Sequence, residues 1–300
     1  MIPFVRHFDF AYGRCDRVSP LIRRVVANNP GAFTFTGTGT YIIGGEGPDA
    51  RVAVIDPGPL DDAHLTALLA AVGGQKVSHV LVTHTHRDHA PLARPFAQLV
   101  DAPILAARPP LKETHASGGL DEEDDVDFQP DVILTGGERI AGDGWTLEAL
   151  FTPGHASNHM AFVLEEENAL FCGDHVMGWS TTVVAPPDGD MADYLASLDK
   201  VIARRFRTLW PTHGAPVTQP EPFLAAYRAH RLAREAQVLE QLARGATTIA
   251  DMVPSLYAAI DSRLWPAASL SVHAHLIKLV QDGRVSADPA PSLQATYRLA

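Results

Sequence analysis

Val80-Leu-Val-Thr-His84-Thr-His86-Arg-Asp88-His89 places four side chains able to ligate a metal within six positions, directly after an apolar run. Imidazole nitrogen and carboxylate oxygen are donors that divalent zinc takes. An extended backbone turns alternate residues, such as His84 and His86, to one side. Four ligand-type residues exceed what one tetrahedral ion with an open position needs, so a dinuclear centre is the economical reading. At this composition His-x-His-x-Asp-His arises by chance in roughly two of a thousand such chains, which separates it from an ordinary polar loop.

Three later segments repeat the layout of a strand that ends in a turn and presents one donor. They are Thr152-Pro-Gly-His155, Phe171-Cys-Gly-Asp174 and Pro211-Thr-His213-Gly. The glycine before Asp174 permits a close backbone approach at the strand end. Each segment alone is a weak signal; in this order after HTHRDH they form a set. The chain has 14 histidines. His159 and His175 read as supports of the site rather than as substrate contacts. His273 and His275, two apart on a helix, point in different directions and read as packing or surface residues. Cys172 reads as a small buried residue.

The positioning elements are apolar runs between turns. Strand-like segments are Phe33–Ile43, Arg51–Ile55, Val77–Val82, Ala102–Ala106, Val132–Leu134, Trp145–Phe151, Met160–Leu164, Ala169–Phe171 and Thr208–Trp210. Helical spacing marks Asp61–Val72, a stretch from about Pro91, and Asp190–Arg204. Strands mixed with helices favour a sheet-centred sandwich with helices outside. After Gly214 the character changes. A Pro-rich link leads to a charged amphipathic helix over Phe223–Arg244, helical stretches at Ile249–Ile260 and Ala268–Gln281, and a tight turn at Asp282-Gly283. Three helices and a hairpin predict a winged-helix module, with domains at 1–218 and 219–300.

Together these segments resemble the metallo-β-lactamase superfamily over residues 30–215. The resemblance implies an α+β fold, a four-layer αββα sandwich with the metals at one edge and a small C-terminal winged-helix domain. It assigns His84, His86 and His155 to one metal, Asp88, His89 and His213 to a second, and Asp174 to both. Asp56, at an early strand end, matches a family Asp that supports the site. Asp174 stands where dedicated β-lactamases of the family usually lack a bridging Asp, and His86 where the di-iron flavoproteins place Glu. Two Zn2+ per chain are therefore expected; glyoxalase-like relatives also take iron or manganese, and persulfide dioxygenases use one iron. Trp179–Val183, His230–Glu240, Thr248–Met252 and His273–Val285 resemble the β-lactamase-like protein 2 group, one member type of which is a mitochondrial endoribonuclease acting on single-stranded RNA.

Composition is that of a globular protein: 46% hydrophobic and 20% charged residues in 300. No apolar run approaches membrane-spanning length, no signal peptide is readable, and two cysteines make no disulfide framework. A cytoplasmic protein without membrane partners is expected. The net charge of −11 argues against a broad nucleic-acid surface, and the acidic run Asp121–Asp127 reads as a solvated loop.

The expected function is that of a hydrolase in which water bridging two zinc ions, its pKa lowered toward about 7, attacks a carbonyl carbon or phosphorus. Asp88 and Asp174 are its expected catalytic carboxylates, with Asp88 carrying the proton. Thioesters and phosphodiesters such as single-stranded RNA are the favoured substrates; lactones and β-lactams are the alternative. A reading of another class is a metal-sensing DNA-binding protein. Against it, Glu221, Glu235 and Glu240 offset Arg228, Arg231, Arg234 and Arg244 on the long helix. The C-terminal helices read instead as scaffold, roofing the active site or forming a homodimer contact. The loops after Trp179 and around Asp121–Pro130 are expected to line the pocket.

Overall fold

The computed structural model describes residues 1–110, 125 and 127–300, so most of the acidic run lies outside the described residues. One sheet contains β1 (Cys15–Arg17), β2 (Ile22–Val26), β3 (Gly39–Ile43), β4 (Arg51–Ile55), β5 (Lys76–Leu81), β6 (Ile104–Ala107) and β7 (Val132–Leu134), side by side in chain order. Pairing is antiparallel up to β4 and parallel beyond it. Parallel neighbours need crossovers. The helices α1 (Asp62–Val72) and α2 (Ala93–Val100) supply the first two.

The second sheet has the order β12-β11-β10-β9-β8, from β8 (Arg139–Gly142), β9 (Trp145–Phe151), β10 (Met160–Leu164), β11 (Ala169–Gly173) and β12 (Thr208–Pro211). Its one parallel pair, β11 with β12, is bridged by α3 (Met191–Arg204). Between the sheets Ile43, Ile55 and Leu81 pack with Phe162, Phe171 and Trp210. Outside the first sheet Leu68 of α1 and Phe96 of α2 cover Val54 and Val80. Outside the second, Tyr194 and Leu198 of α3 cover Leu170 and Cys172. This is the four-layer α+β sandwich.

Two departures from the sequence pattern bear on the site. Only Gly39–Ile43 of the expected Phe33–Ile43 strand is extended; before it Gly31 and Phe35 bridge across a turn with Phe35 at φ 55°. Strand β2 is hidden in the sequence because Arg23 and Arg24 interrupt its apolar run. Both are buried, Arg23 donating to the Ala71 carbonyl (2.8 Å) and Arg24 lying over the Phe8 ring (4.6 Å). Their stems pack while their heads find partners.

The C-terminal part is a winged helix: α4 (Pro220–Ala243), α5 (Ile249–Leu256), α6 (Trp265–Gln281) and the hairpin β13 (Val285–Asp288) with β14 (Thr296–Leu299). Thr248 and Asp251 form a reciprocal cap on α5. That helix stops short of Ile260, two residues after Pro254, which has no N–H to donate. Helix α4 serves two cores: Phe223, Leu224 and Tyr227 pack with α3, whereas Val238 and Leu242 pack with Met252, Leu276 and Tyr297. No helix among the described residues is long and apolar enough to cross a membrane.

His275, on α6, is fully buried with neither ring nitrogen hydrogen-bonded. Burial first, then the nearby Arg231 and Arg234, push it down to about 3. The unfolded chain takes up a proton near pH 6.5 that the folded chain refuses. His275 is therefore neutral in both states above about pH 7, and stability falls as pH drops from 6.5 toward 3. Denaturant melts at several pH values should show a shallower acid-side loss in His275→Leu than in the wild type; parallel curves would contradict this.

Candidate metal centre

Seven donors converge where the two sheets present their strand ends. The ligand atoms of His84, His86 and His155 lie within 4.8 Å of one another, and so do those of Asp88, His89, Asp174 and His213. His84 Nε2 stands 2.9 Å from His86 Nδ1, and Asp174 Oδ2 reaches toward both groups, 3.9 Å from His155 Nε2 and 3.4 Å from His213 Nε2. The segment after β5 brings in the first four donors; the ends of β9, β11 and β12 bring one each. Two glycines make room. A Cβ on Gly173 (φ +50°) would meet His159 Nε2 at 2.5 Å, and one on Gly154 (φ +132°) would meet the Tyr194 backbone at 2.3 Å.

Each outer histidine has its ring fixed from behind. The Nδ1 of His155 donates to the Val183 carbonyl (2.7 Å) and that of His213 to the Gly37 carbonyl (3.1 Å). His89 Nδ1 donates to Asp56 Oδ2 (2.9 Å). Every one of these partners is an acceptor, so in the neutral ring that a metal ligand requires the proton sits on Nδ1 and Nε2 faces the site with its lone pair. Those three Nε2 atoms, and Asp174 Oδ1, are buried without a hydrogen bond. His213 Nε2 lies 2.9 Å from Asp88 Oδ2, yet the contact is not aligned as a hydrogen bond. Buried polar atoms are rarely left so. Orphaned nitrogen and carboxylate donors aimed at common points fit divalent cations.

Asp56 is fully buried at φ 49° and accepts from four donors. These are Thr83 N (2.7 Å), Thr83 Oγ1 (2.8 Å), Thr212 Oγ1 (3.0 Å) and His89 Nδ1. It thereby joins the ends of β4, β5 and β12. His159 accepts from Asp174 N–H at Nε2 (3.2 Å) and donates from Nδ1 to Thr152 Oγ1 (2.8 Å). It supports Asp174 rather than adding a donor.

Supports from the C-terminal side had no signal in the sequence. Tyr227 of α4 accepts from Thr182 N–H (2.6 Å) and donates to the Ser180 carbonyl (3.0 Å). Arg231 Nη2 donates to the Thr182 carbonyl, and Thr182 Oγ1 donates to the Asp174 carbonyl (2.8 Å). Residue 183, next in line, holds His155. Only spatial proximity, across some fifty positions of sequence, reveals this link.

Electrostatically the cluster is split. Burial disfavours a charged His213, but Asp174 and Asp88 outweigh it and raise it to about 10. His89 is likewise raised against burial by Asp88, Asp174 and Asp56. Burial and the imidazoles of His89, His86 and His155 hold His84 well below the ordinary range. Asp88 and Asp174 stay ionised despite burial because His89 and His213 face them. A cavity of about 210 Å³ opens onto this cluster between the Asn29–Thr34 turn and His86, Asp88 and Asp174.

A fold with helices flanking paired sheets and a His/Asp cluster at their edge defines a class of metal-dependent hydrolases. The chain belongs to the Metallo-beta-lactamase superfamily, whose family model matches residues 34–213. A beta-lactamase associated winged helix domain matches residues 248–290. Among curated proteins, the chain is 33% identical over 282 residues to an atrochrysone carboxyl ACP thioesterase of Aspergillus chevalieri, covering 90% of this chain and 84% of that one. It is 28% identical over 274 residues to the beta-lactamase-like protein 2 homolog of Caenorhabditis elegans, covering 90% and 88%. The crystal structure of a beta-lactamase domain protein from Burkholderia ambifaria shares the fold with a TM-score of 0.80 at 22% identity, covering 100% of this chain and 97% of that one.

Asp56→Asn keeps the shape but presents an amide nitrogen toward donors. Replacing such a ligand-orienting partner typically costs about 10–100-fold in metal affinity or activity. The expected outcome is that the variant loses metal in competition with a chelator at concentrations the wild type withstands. Equal retention would contradict the role given to Asp56.

Proposed function

We propose that this chain hydrolyses a thioester of a small organic acid at a centre of two divalent metals, zinc being the metal its donors suit best. The observation that carries the reading is the pair of donor groups meeting at Asp174 beneath an open cavity. His84, His86 and His155 would hold one ion, Asp88, His89 and His213 the other, and Asp174 both. Such ions, when bound, lower the pKa of a ligated water and polarise a carbonyl oxygen. The thioester is favoured over other ester types by the curated relatives named as thioesterases.

The chain's own residues supply position and proton handling. The Val183, Gly37 and Asp56 acceptors fix three imidazoles so that their Nε2 atoms need no reorganisation. Asp88 is the most open carboxylate of the group, with its side chain 23% exposed, and is ionised. It lines the cavity, where it can accept a proton from the attacking water and return it to the leaving thiolate. The Asn29–Thr34 turn walls the cavity on one side.

We place the catalytic unit at 1–218 and the winged helix at 219–300. The winged helix serves the catalytic unit rather than DNA. Its third helix, α6, packs against α3 and α4, and Ala274 enters the core beneath the second sheet. A helix held in this way does not present its face to a major groove.

Turnover of a chromogenic acyl thioester should be lost after chelation and restored by added zinc. Asp88→Ala should lower kcat by about a hundredfold or more. Chelator-resistant turnover, or an Asp88→Ala protein with full activity and both metals, would defeat the proposal.

A further inference from the structure

Three arginines lie on α4 and a fourth, Arg244, caps its C-terminus, and they divide into two kinds. Arg228 pairs with Asp199 (2.5 Å) and Arg244 with Glu240 (2.6 Å). The acids that balance Arg231 and Arg234 in the sequence are engaged elsewhere. Glu235 holds Arg284 (2.8 Å) and Lys278 (3.1 Å), and Glu240 is taken by Arg244. Neither Arg231 nor Arg234 forms an ion pair with any carboxylate among the described residues.

Arg231 is only 3% exposed, and its Nε has no hydrogen-bond partner. Its surroundings are the Thr182 carbonyl and the rings of Tyr194 (4.9 Å) and Tyr227 (6.0 Å). Arg234 lies over the Tyr257 ring (4.2 Å) and donates to the Leu256 carbonyl (2.7 Å). Carbonyls and ring faces orient a guanidinium without neutralising it. The field they leave is felt nearby: burial first, then Arg231 and Arg234, hold His230 near 4, and the same causes act on His275. A buried cation without an anion is costly, and in a chain of net charge −11 it is conspicuous.

Both arginines line a pocket of about 250 Å³ between the winged helix and the catalytic unit. Its other walls include Phe33, Trp179, Tyr257 and Leu264. Ala32 and Phe33 also line the cavity over the metal ligands, so one wall serves both spaces. A group entering here meets largely apolar walls with two guanidinium groups three residues apart on one helix face. Two guanidinium groups in one pocket make a local spot of positive charge rather than the track that a long polyanion needs.

We infer that this interdomain pocket binds the acyl part of the substrate, and that the acyl group is an apolar body carrying a carboxylate received by Arg231 and Arg234. Guanidinium and carboxylate match as planar forks with two parallel hydrogen bonds. The winged helix would thus set substrate choice, with the thioester bond placed beyond Phe33, where the His/Asp donors would hold the metals. Identifying the ligand as an acyl group rests on the thioester reading; the anion site itself rests on the arginines.

Calorimetric titration of 2-naphthoate and of its neutral counterpart 2-naphthamide into the metal-loaded full-length protein tests this without turnover. The carboxylate should bind about tenfold or more tightly than the amide, as expected for a charge-assisted hydrogen bond. Arg234→Gln should abolish that preference. Arg231→Lys keeps the buried charge and the fold but loses the planar fork, and should weaken naphthoate binding several-fold. Equal affinity for acid and amide would overturn the inference. So would naphthoate binding indifferent to both substitutions, which would put the anion on the metals. Displacement of naphthoate by a short RNA with the same arginine dependence would overturn it in favour of a phosphate ligand. A protein that shows this binding but cleaves no thioester would retain the anion site and lose only the proposed reaction.

Discussion

A carboxylate sealed inside a protein must be met by donors on every side, and Asp56, at the end of β4, meets that demand with groups from the ends of two other strands. Thr83 follows β5, Thr212 follows β12, and His89 closes the histidine segment. Apolar packing between the sheets has no direction, so this network, together with backbone bonds such as Gly39 N–H to the Thr212 carbonyl (2.8 Å) and Met160 N–H to the Thr83 carbonyl (2.7 Å), sets how their edges register beneath the site. Tyr41 adds a further tie, donating from one sheet to the Pro211 carbonyl of the other (2.6 Å). The same bonds turn the His89 ring to face Asp88 and Asp174. Fold and site therefore depend on one buried anion, held in a left-handed backbone conformation that only tertiary contacts sustain.

From this anchor the remaining donors are placed by short, stiff connections. Gly154 and Gly173 let the chain pass close to α3 and to His159, where a side chain would collide with backbone or ring. Carbonyls of Gly37 and Val183 then choose the tautomer of His213 and His155. The apolar walls do the rest: with water excluded, orphaned Nε2 lone pairs have no partner in the protein, and cation binding becomes their natural satisfaction.

Much of this was legible in the chain because ligands and turn residues obey local rules. HTHRDH, PGH, CGD and PTHG each follow an apolar run and end it with a residue suited to a turn, so strand ends and donors are marked together. The C-terminal helices showed as periodic patterns. What stayed hidden depends on distance in sequence. Strand β2 conceals itself behind Arg23, whose partners come from α1 and the turn after it, and Arg24, which lies over Phe8. Tyr227 looks like one more helix residue until it meets Ser180 and Thr182. Arg231 and Arg234 look balanced by neighbouring glutamates until those are seen to face other partners. Charges that offset one another along a helix do not necessarily do so in space.

The most direct test of the account is the metal stoichiometry of the purified, metal-loaded protein, measured by elemental analysis alongside an Asp174→Ala variant. About two zinc ions per chain are expected, with a variant that fails to keep both. A protein saturated and fully active with a single ion, or an Asp174→Ala chain that holds two as tightly as the wild type, would contradict it.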